Sequence, residues 1–118
     1  MITLTLPWPD RRLSPNARLD RRQVAGIKAR EKEAARILTI EKYFVGYLAD
    51  VKVDQPVSIE FCPPDNIKRD RDNLLASLKS QLDGVAEALG IDDSRFEPIT
   101  IRRGPVVKGG QVILEIGE

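Results

Sequence analysis

The chain has no histidine and a single cysteine among its 118 residues. Catalysis by a histidine general base is therefore excluded, and a structural zinc site built from Cys and His is excluded with it. Cys62 has no second cysteine to pair with, so no intrachain disulfide exists and nothing points to an oxidising compartment. No run approaches 18 apolar residues, so no membrane span is expected. Met1–Leu6 lacks the basic start and long apolar stretch of a secretory signal, and the expected location is the cytoplasm. With 42% hydrophobic and 31% charged residues the composition is that of an ordinary globular domain. The length suits one core, so residues 1–118 are read as a single domain.

A net charge of +1 conceals an uneven distribution. Residues 1–50 carry a net +4 and residues 51–118 a net −3. Arg11, Arg12, Arg18, Arg21 and Arg22 crowd one short segment. Guanidinium forks match phosphate oxygens, and a local cluster of this kind binds polyanions even on a nearly neutral protein. A solvated loop running into a first helical turn accounts for the same residues.

Ile2–Leu6 alternates as a strand does and stops at Pro7, and a proline-rich loop follows over 7–19. A long helix is predicted from Asp20 or Arg21 to Leu48, with Val24, Ile27, Ala34, Leu38, Ile40, Phe44 and Leu48 on its apolar side. Val57, Ile59 and Phe61 mark a second strand that Pro63 and Pro64 end. In a second helix Leu74, Leu75, Leu78, Leu82, Val85 and Leu89 trace an apolar stripe, leaving Asn73, Ser80, Asp83 and Glu87 toward solvent. Gly90 suits a left-handed cap with Ile91 as its apolar follower. The last two strands, near Ile99–Arg103 and Gln111–Ile116, are expected to form a loose hairpin. The expected fold is α+β: a mixed four-stranded sheet with two main helices on one side, in the order β-α-β-α-β-β.

The chemistry concentrates in Lys68-Arg69-Asp70-Arg71-Asp72-Asn73 and, about twenty residues on, in Asp92-Asp93. Aspartates at a helix start serve as caps and meet the helix dipole, and a polar turn after a helix end accounts for the later pair. They also suit Mg²⁺, which takes a few carboxylate oxygens and fills its shell with water and substrate phosphate. That second reading requires the two acidic ends of a helix about 25 Å long to be brought together, with Gly84 as a candidate break. Lys79 lies nearly two turns after Asp72 on the same side, placed to meet a scissile phosphate or to be an ordinary exposed lysine.

Leu6-Pro7-Trp8-Pro9, Ser14-Pro15-Asn16, Asp70-Arg71-Asp72-Asn73-Leu74, Asp92-Asp93-Ser94 and Lys108-Gly109-Gly110 together resemble the RusA family of Holliday-junction resolvases. The resemblance runs along nearly the whole chain, and the Asp-x-Asp-Asn-Leu run followed by Asp-Asp is its specific part. It implies an endonuclease that acts as a homodimer on four-way or otherwise branched DNA in recombination and repair. The cofactor it implies is one or two Mg²⁺ ions, with Mn²⁺ as a substitute. The catalytic acids it implies are Asp70, Asp72 and Asp93, with Asp92 beside them as a further metal ligand. Arg69, Arg71 and Lys68 join the arginines at 11, 12, 18, 21 and 22 as the expected DNA-binding set. The family's usual lysine, one turn after the second aspartate, is replaced here by Ala76, which makes Lys79 the candidate catalytic lysine. The segment from Asn73 to Asp92 is slightly longer than the family pattern, and the 11–22 loop is richer in arginine than in the aromatics the family can carry there.

Overall fold

A computed structural model of the chain describes residues 1–117. It has the expected α+β content, two helices and a four-stranded mixed sheet. The described residues divide into two compact units. A sheet unit comprises residues 1–8, 51–68 and 94–117, and a helical unit comprises residues 9–50 and 69–93.

In the sheet unit the strands are β1 (Ile2–Pro7), β2 (Gln55–Cys62), β3 (Phe96–Arg103) and β4 (Gln111–Ile116). Their spatial order is β1-β4-β2-β3. β4 runs antiparallel to both β1 and β2, with Leu114 opposite Leu4 on one side and Ile59 on the other. Alternation puts Leu4, Leu6, Val57, Ile59, Phe61, Val112, Leu114 and Ile116 out of contact with solvent.

The expected hairpin between β3 and β4 does not form. β3 instead pairs in parallel with β2, Ile59 opposite Ile101. The connection after β3 is carried past the end of β2, where Gly104 N–H donates to the Phe61 carbonyl (2.8 Å) and Val107 N–H to the Pro63 carbonyl (2.9 Å). Burial explains the choice. β4 offers three fully buried aliphatic residues, which want a central position, whereas β3 is exposed along most of its length and suits an edge. Gly110, at φ +73°, lies against the Trp8 ring, so closely that a Cβ would fall 2.8 Å from Trp8 Cβ. Trp8 in turn meets Phe61 edge-on at 6.0 Å.

The helical unit holds a 3₁₀ turn (Arg11–Leu13), α1 (Arg21–Lys42) and α2 (Arg71–Leu89). α1 starts where expected, with Asp20 accepting from Arg22 N–H (2.7 Å), but it ends at Lys42 rather than Leu48. The apolar rhythm continues through Phe44 and Leu48, yet the backbone turns at Gly46 (φ +79°) to bond elsewhere. Gly46 N–H donates to the Ala88 carbonyl and Leu48 N–H to the Leu89 carbonyl, both at 2.8 Å, satisfying the last turn of α2. Phe44 is exposed as a result, and on α1 it is Ala35, not Ala34, that is buried.

α2 is capped at both ends by local chemistry. Asp70 Oδ1 accepts from the Asp72 N–H (2.8 Å) and the Asn73 N–H (3.4 Å), a cap worth about 1 kcal/mol. At the other end Gly90 (φ +79°) closes the helix, and the N–H of buried Ile91 returns to the Ala86 carbonyl (3.1 Å). Gly84 does not break the helix. It is a point of close approach to α1, where the Lys32 carbonyl and Arg36 amide occupy the space a side chain would need. Close packing buries Ser77, Ser80 and Gln81 along with Leu78, Leu82, Val85 and Leu89, while Leu74 and Leu75 stay half-buried, so Ser80 is not a solvent-facing residue. Lys32 and Glu87 bridge the two helices at 3.1 Å.

Candidate active site

One face of α2 and one side chain of α1 enclose a cleft of about 440 Å³. Asp72, Leu75, Ala76, Lys79 and Asp83 border it from α2, and Lys28 from α1. Lys79 organises its lower wall. Its ammonium donates to Asp83 Oδ1 one turn on (2.8 Å) and also to Asp93 Oδ2. Asp93 lies beyond the helix end, so the chain after Gly90 doubles back along α2. A 3₁₀ turn over Asp93–Arg95 begins at the residue that meets the lysine. The long separation between the two acidic segments is thereby shortened without any break in the helix.

Charge follows from this contact. The Lys79 hydrogen bond holds the Asp93 carboxyl below the usual carboxylate range; partial burial works against that, and hydrogen bonding with Asp83 and Asp92 reinforces it. For Lys79, partial burial acts to lower its pKa, but the pairs with Asp83 and Asp93 outweigh this and raise it. A depressed carboxylate stabilises the fold above its unfolded pKa, about 3.9, and that contribution disappears as pH falls through the lower folded value. A raised lysine contributes fully below its unfolded pKa, about 10.4, and loses it as pH climbs through the folded value. The bridge therefore contributes in full from about pH 4 to about pH 10 and is lost only beyond those limits, as each folded value is passed. A carboxyl ¹³C titration of Asp93 is expected to give a midpoint below that of an ordinary aspartate, and Lys79→Ala is expected to move it upward. An unshifted midpoint in the unaltered protein would remove the bridge from the site.

The expected site residues are distributed unevenly. Asp72 borders the cleft, and Lys79 and Asp93 are joined. Asp92 is exposed and adjacent to Asp93. Asp70 spends one carboxylate oxygen on the helix cap, as the structural reading of that position required. Arg71 is exposed and Arg69 half-buried at the start of α2, whereas Lys68 lies in the sheet unit. Arg11 and Arg12 sit in the 3₁₀ turn, Arg18 in the loop after it, and Arg21 and Arg22 open α1; all five are exposed. Asp83 and Lys28 are additions that the apolar periodicity did not reveal. The i, i+4 spacing of Lys79 and Asp83 was the available signal, since it places opposite charges side by side on a helix.

Among the described residues no group of three or more acidic or thiol side chains is gathered tightly enough to enclose a metal ion. Mg²⁺ asks for less, commonly one or two carboxylates, with water and phosphate completing an octahedron. Asp72 and Asp83 stand eleven residues, about 16 Å, apart along α2, and Asp93 is drawn in beside Asp83; each is a hard oxygen donor open to solvent, of the kind Mg²⁺ or Mn²⁺ takes and a softer ion does not. Two of these carboxylates already share one cationic group, the lysine ammonium.

Comparison with known proteins agrees with the sequence pattern. No family model matches the chain. A protein named crossover junction endodeoxyribonuclease rusA, from Enterobacteria phage 82, is 32% identical over 98% of this chain and 92% of its own length. The chain belongs to the RusA family. A RusA protein of Escherichia coli K12 is 31% identical over 98% of this chain and 93% of its own, and an uncharacterised protein of Xylella fastidiosa is 36% identical over 98% and 76%. Among the described residues of this RusA-family chain, no helix is long and apolar enough to cross a membrane.

Proposed function

We propose that this chain is a Mg²⁺-dependent endodeoxyribonuclease that resolves four-way DNA junctions by paired hydrolysis of phosphodiester bonds. The observation that carries the reading is the cleft in which Asp72 and Lys79 share a wall while Asp93 is drawn back to Lys79. Membership of a family whose named members are crossover junction endodeoxyribonucleases supplies the substrate class. Asp72 and Asp93 would hold the ion, with Asp70 and Asp92 beside them. When bound, Mg²⁺ supplies Lewis-acid charge next to the scissile phosphate.

The remaining work falls to this chain's own groups. Lys79, held by two carboxylates at the cleft wall, presents a fixed positive charge where negative charge develops on phosphate oxygens. Its pairing keeps it protonated, so it acts as an electrostatic group and not as a base. Arg69, Arg71 and the arginines at 11–22 grip phosphates of the bound junction, giving affinity that depends on salt more than on sequence. A four-way junction has two-fold symmetry and needs two nicks, and an isologous homodimer presents two equivalent sites to it. Such an enzyme would work where the DNA is, in the cytoplasm of a bacterial or phage-infected cell.

Ala76 favours a second reading, a junction-binding module without cleavage. It borders the cleft at the position where the family usually carries its lysine. Lys79, one turn on along the same wall, answers that loss. A cleavage assay on a mobile four-way junction, with sites mapped on all four strands and flaps and forks run in parallel, separates these readings. Symmetric paired nicks are expected with Mg²⁺ or Mn²⁺, and chelation is expected to lower the rate at least about 100-fold, or ~2.7 kcal/mol of barrier. Tight binding without nicks would establish the module, and preferential cutting of flaps would replace the junction with another branched substrate.

A further inference from the structure

A second cavity, of about 260 Å³, lies in the helical unit. Arg12, Leu19, Arg22, Gln23, Gly26 and Arg30 border it. Its chemistry is unlike that of the cleft: three arginines and a glutamine line it beside apolar Leu19 and Ile27. Arg12 is locked in place by a two-pronged bond to Asp10, Nη2 at 2.8 Å and Nε at 3.0 Å. That pair is mutually neutralised, and the Arg12 bond is the main reason the Asp10 carboxyl falls to about 2. Among the described residues Arg22 and Arg30 make no ion pair; the nearby Asp20 and Glu31 carboxylates accept from the backbone N–H groups of Arg22 (2.7 Å) and Asp10 (2.9 Å), so two of the three guanidinium forks stay open. Arg30 leans back over Gly26, its Nη1 3.6 Å from where a Cβ would stand, which brings its fork toward Arg22.

Position on the helix gives this cavity its meaning. Arg22, Gly26 and Arg30 recur every fourth residue and form one stripe along α1. Lys28, which borders the Asp72 cleft, lies two residues from both Gly26 and Arg30, about 160° around the axis. The arginine cavity and the cleft therefore open on opposite sides of the same helix. A duplex lying in the cleft is not available to the arginines on the far side. A second duplex diverging from a branch point is.

We infer that the Arg12–Arg22–Arg30 cavity is a phosphate seat that takes the backbone of a DNA arm other than the arm at the Asp72 cleft. The arm assignment rests on the junction reading above; the phosphate seat itself does not. It makes α1 a wedge between two arms, and it makes Arg30, outside the 11–22 cluster, a residue that favours branched over linear DNA.

Two measurements test the two parts separately. Inorganic phosphate is titrated into the full-length protein while guanidinium Nε–H signals are followed by NMR. Saturable shifts are expected at Arg22 and Arg30 and at the Gly26 amide, and Arg30→Gln, which keeps helix propensity, is expected to abolish saturation. Linear, unsaturable drift, or equal shifts at Arg18 and Arg21, would overturn the seat. Affinity is then compared for a four-way junction and a linear duplex of equal length. Arg30→Gln is expected to weaken junction binding about tenfold and duplex binding less than about twofold, and to reduce the junction's salt slope by about one. Equal losses on both substrates would overturn the arm assignment. Equal affinity of the unaltered protein for both would overturn the junction reading and the arm assignment together, leaving the phosphate titration to judge the seat.

Discussion

Asp72→Asn is expected to bind four-way junctions at least as tightly as the parent and to nick them about 1,000-fold more slowly, a barrier increase of ~4 kcal/mol. Asparagine has nearly the same shape and keeps the polar contact with solvent at this exposed position. It removes the charge that would hold a divalent cation. Asp72 lies in the first turn of α2, where a carboxylate also meets the helix dipole, so its loss costs about 0.3–1 kcal/mol of stability. That is too little to unfold the protein and cannot account for a thousandfold effect. Removing a negative group beside DNA phosphates relieves repulsion, hence the expectation of unchanged or tighter binding. Single-turnover nicking and gel-shift titration on the same junction read the two quantities apart. Parent-like nicking by the variant would move the active site away from this cleft.

The second large effect concerns folding. Gly84→Ala is expected to destabilise the protein by about 2–3 kcal/mol, although alanine favours helix over glycine by about 1 kcal/mol. A Cβ at this position would overlap the Lys32 carbonyl oxygen and stand 3.0 Å from the Lys32 carbonyl carbon and 3.1 Å from the Arg36 amide nitrogen. These are backbone atoms inside α1 hydrogen bonds and have no flexible end to withdraw. The helices must separate, loosening contacts made by buried Leu82, Val85 and Ala88 on the same helix. Gly26→Ala is the internal comparison: its added methyl would meet only Arg30 Nη1, at 3.6 Å. That variant is expected to gain about 0.5 kcal/mol from helix propensity. Thermal unfolding of the two variants should move in opposite directions. A Gly84→Ala protein as stable as its parent would mean that α1 and α2 do not meet at this glycine.

The contrast between these glycines also shows what the sequence could convey. The ends of α2 were readable because their causes are local: Asp70 caps amides two and three residues away, and Gly90 supplies a left-handed residue. The strands were readable as strands because alternation is local too. Their neighbours were not. β3 and β4 are consecutive and glycine-flanked, which suggests a hairpin, but the fully buried β4 is claimed by β1 and β2 from far away in the chain. The end of α1 was misplaced for a similar reason, since Phe44 and Leu48 prolong the apolar rhythm while the amides of Gly46 and Leu48 are taken by the C-terminus of α2. At the site, the Asp-x-Asp-Asn-Leu run pointed to Asp70, which caps α2, and to Asp72, which borders the cleft, while spacing singled out Lys79 on the same cleft. The return of Asp93 to Lys79 depends on the path of a short loop after Gly90, and residue types alone do not encode that path. Asp83 taken alone reads as a solvated residue, and only its i, i+4 spacing from Lys79 on the same helix signals the pair.

The central place of β4 carries a consequence for how the molecule comes into being. Ile2 lies opposite Ile116, so β1 finds its only described strand neighbour more than a hundred residues further along the chain. Until β4 is in place, β1 is an unpaired edge with Leu4 and Leu6 uncovered on their β4 side. Joining segments so distant makes closure of the sheet a non-local, slow step of folding, and a chain interrupted before residue 111 carries a sticky ribbon with no partner for it.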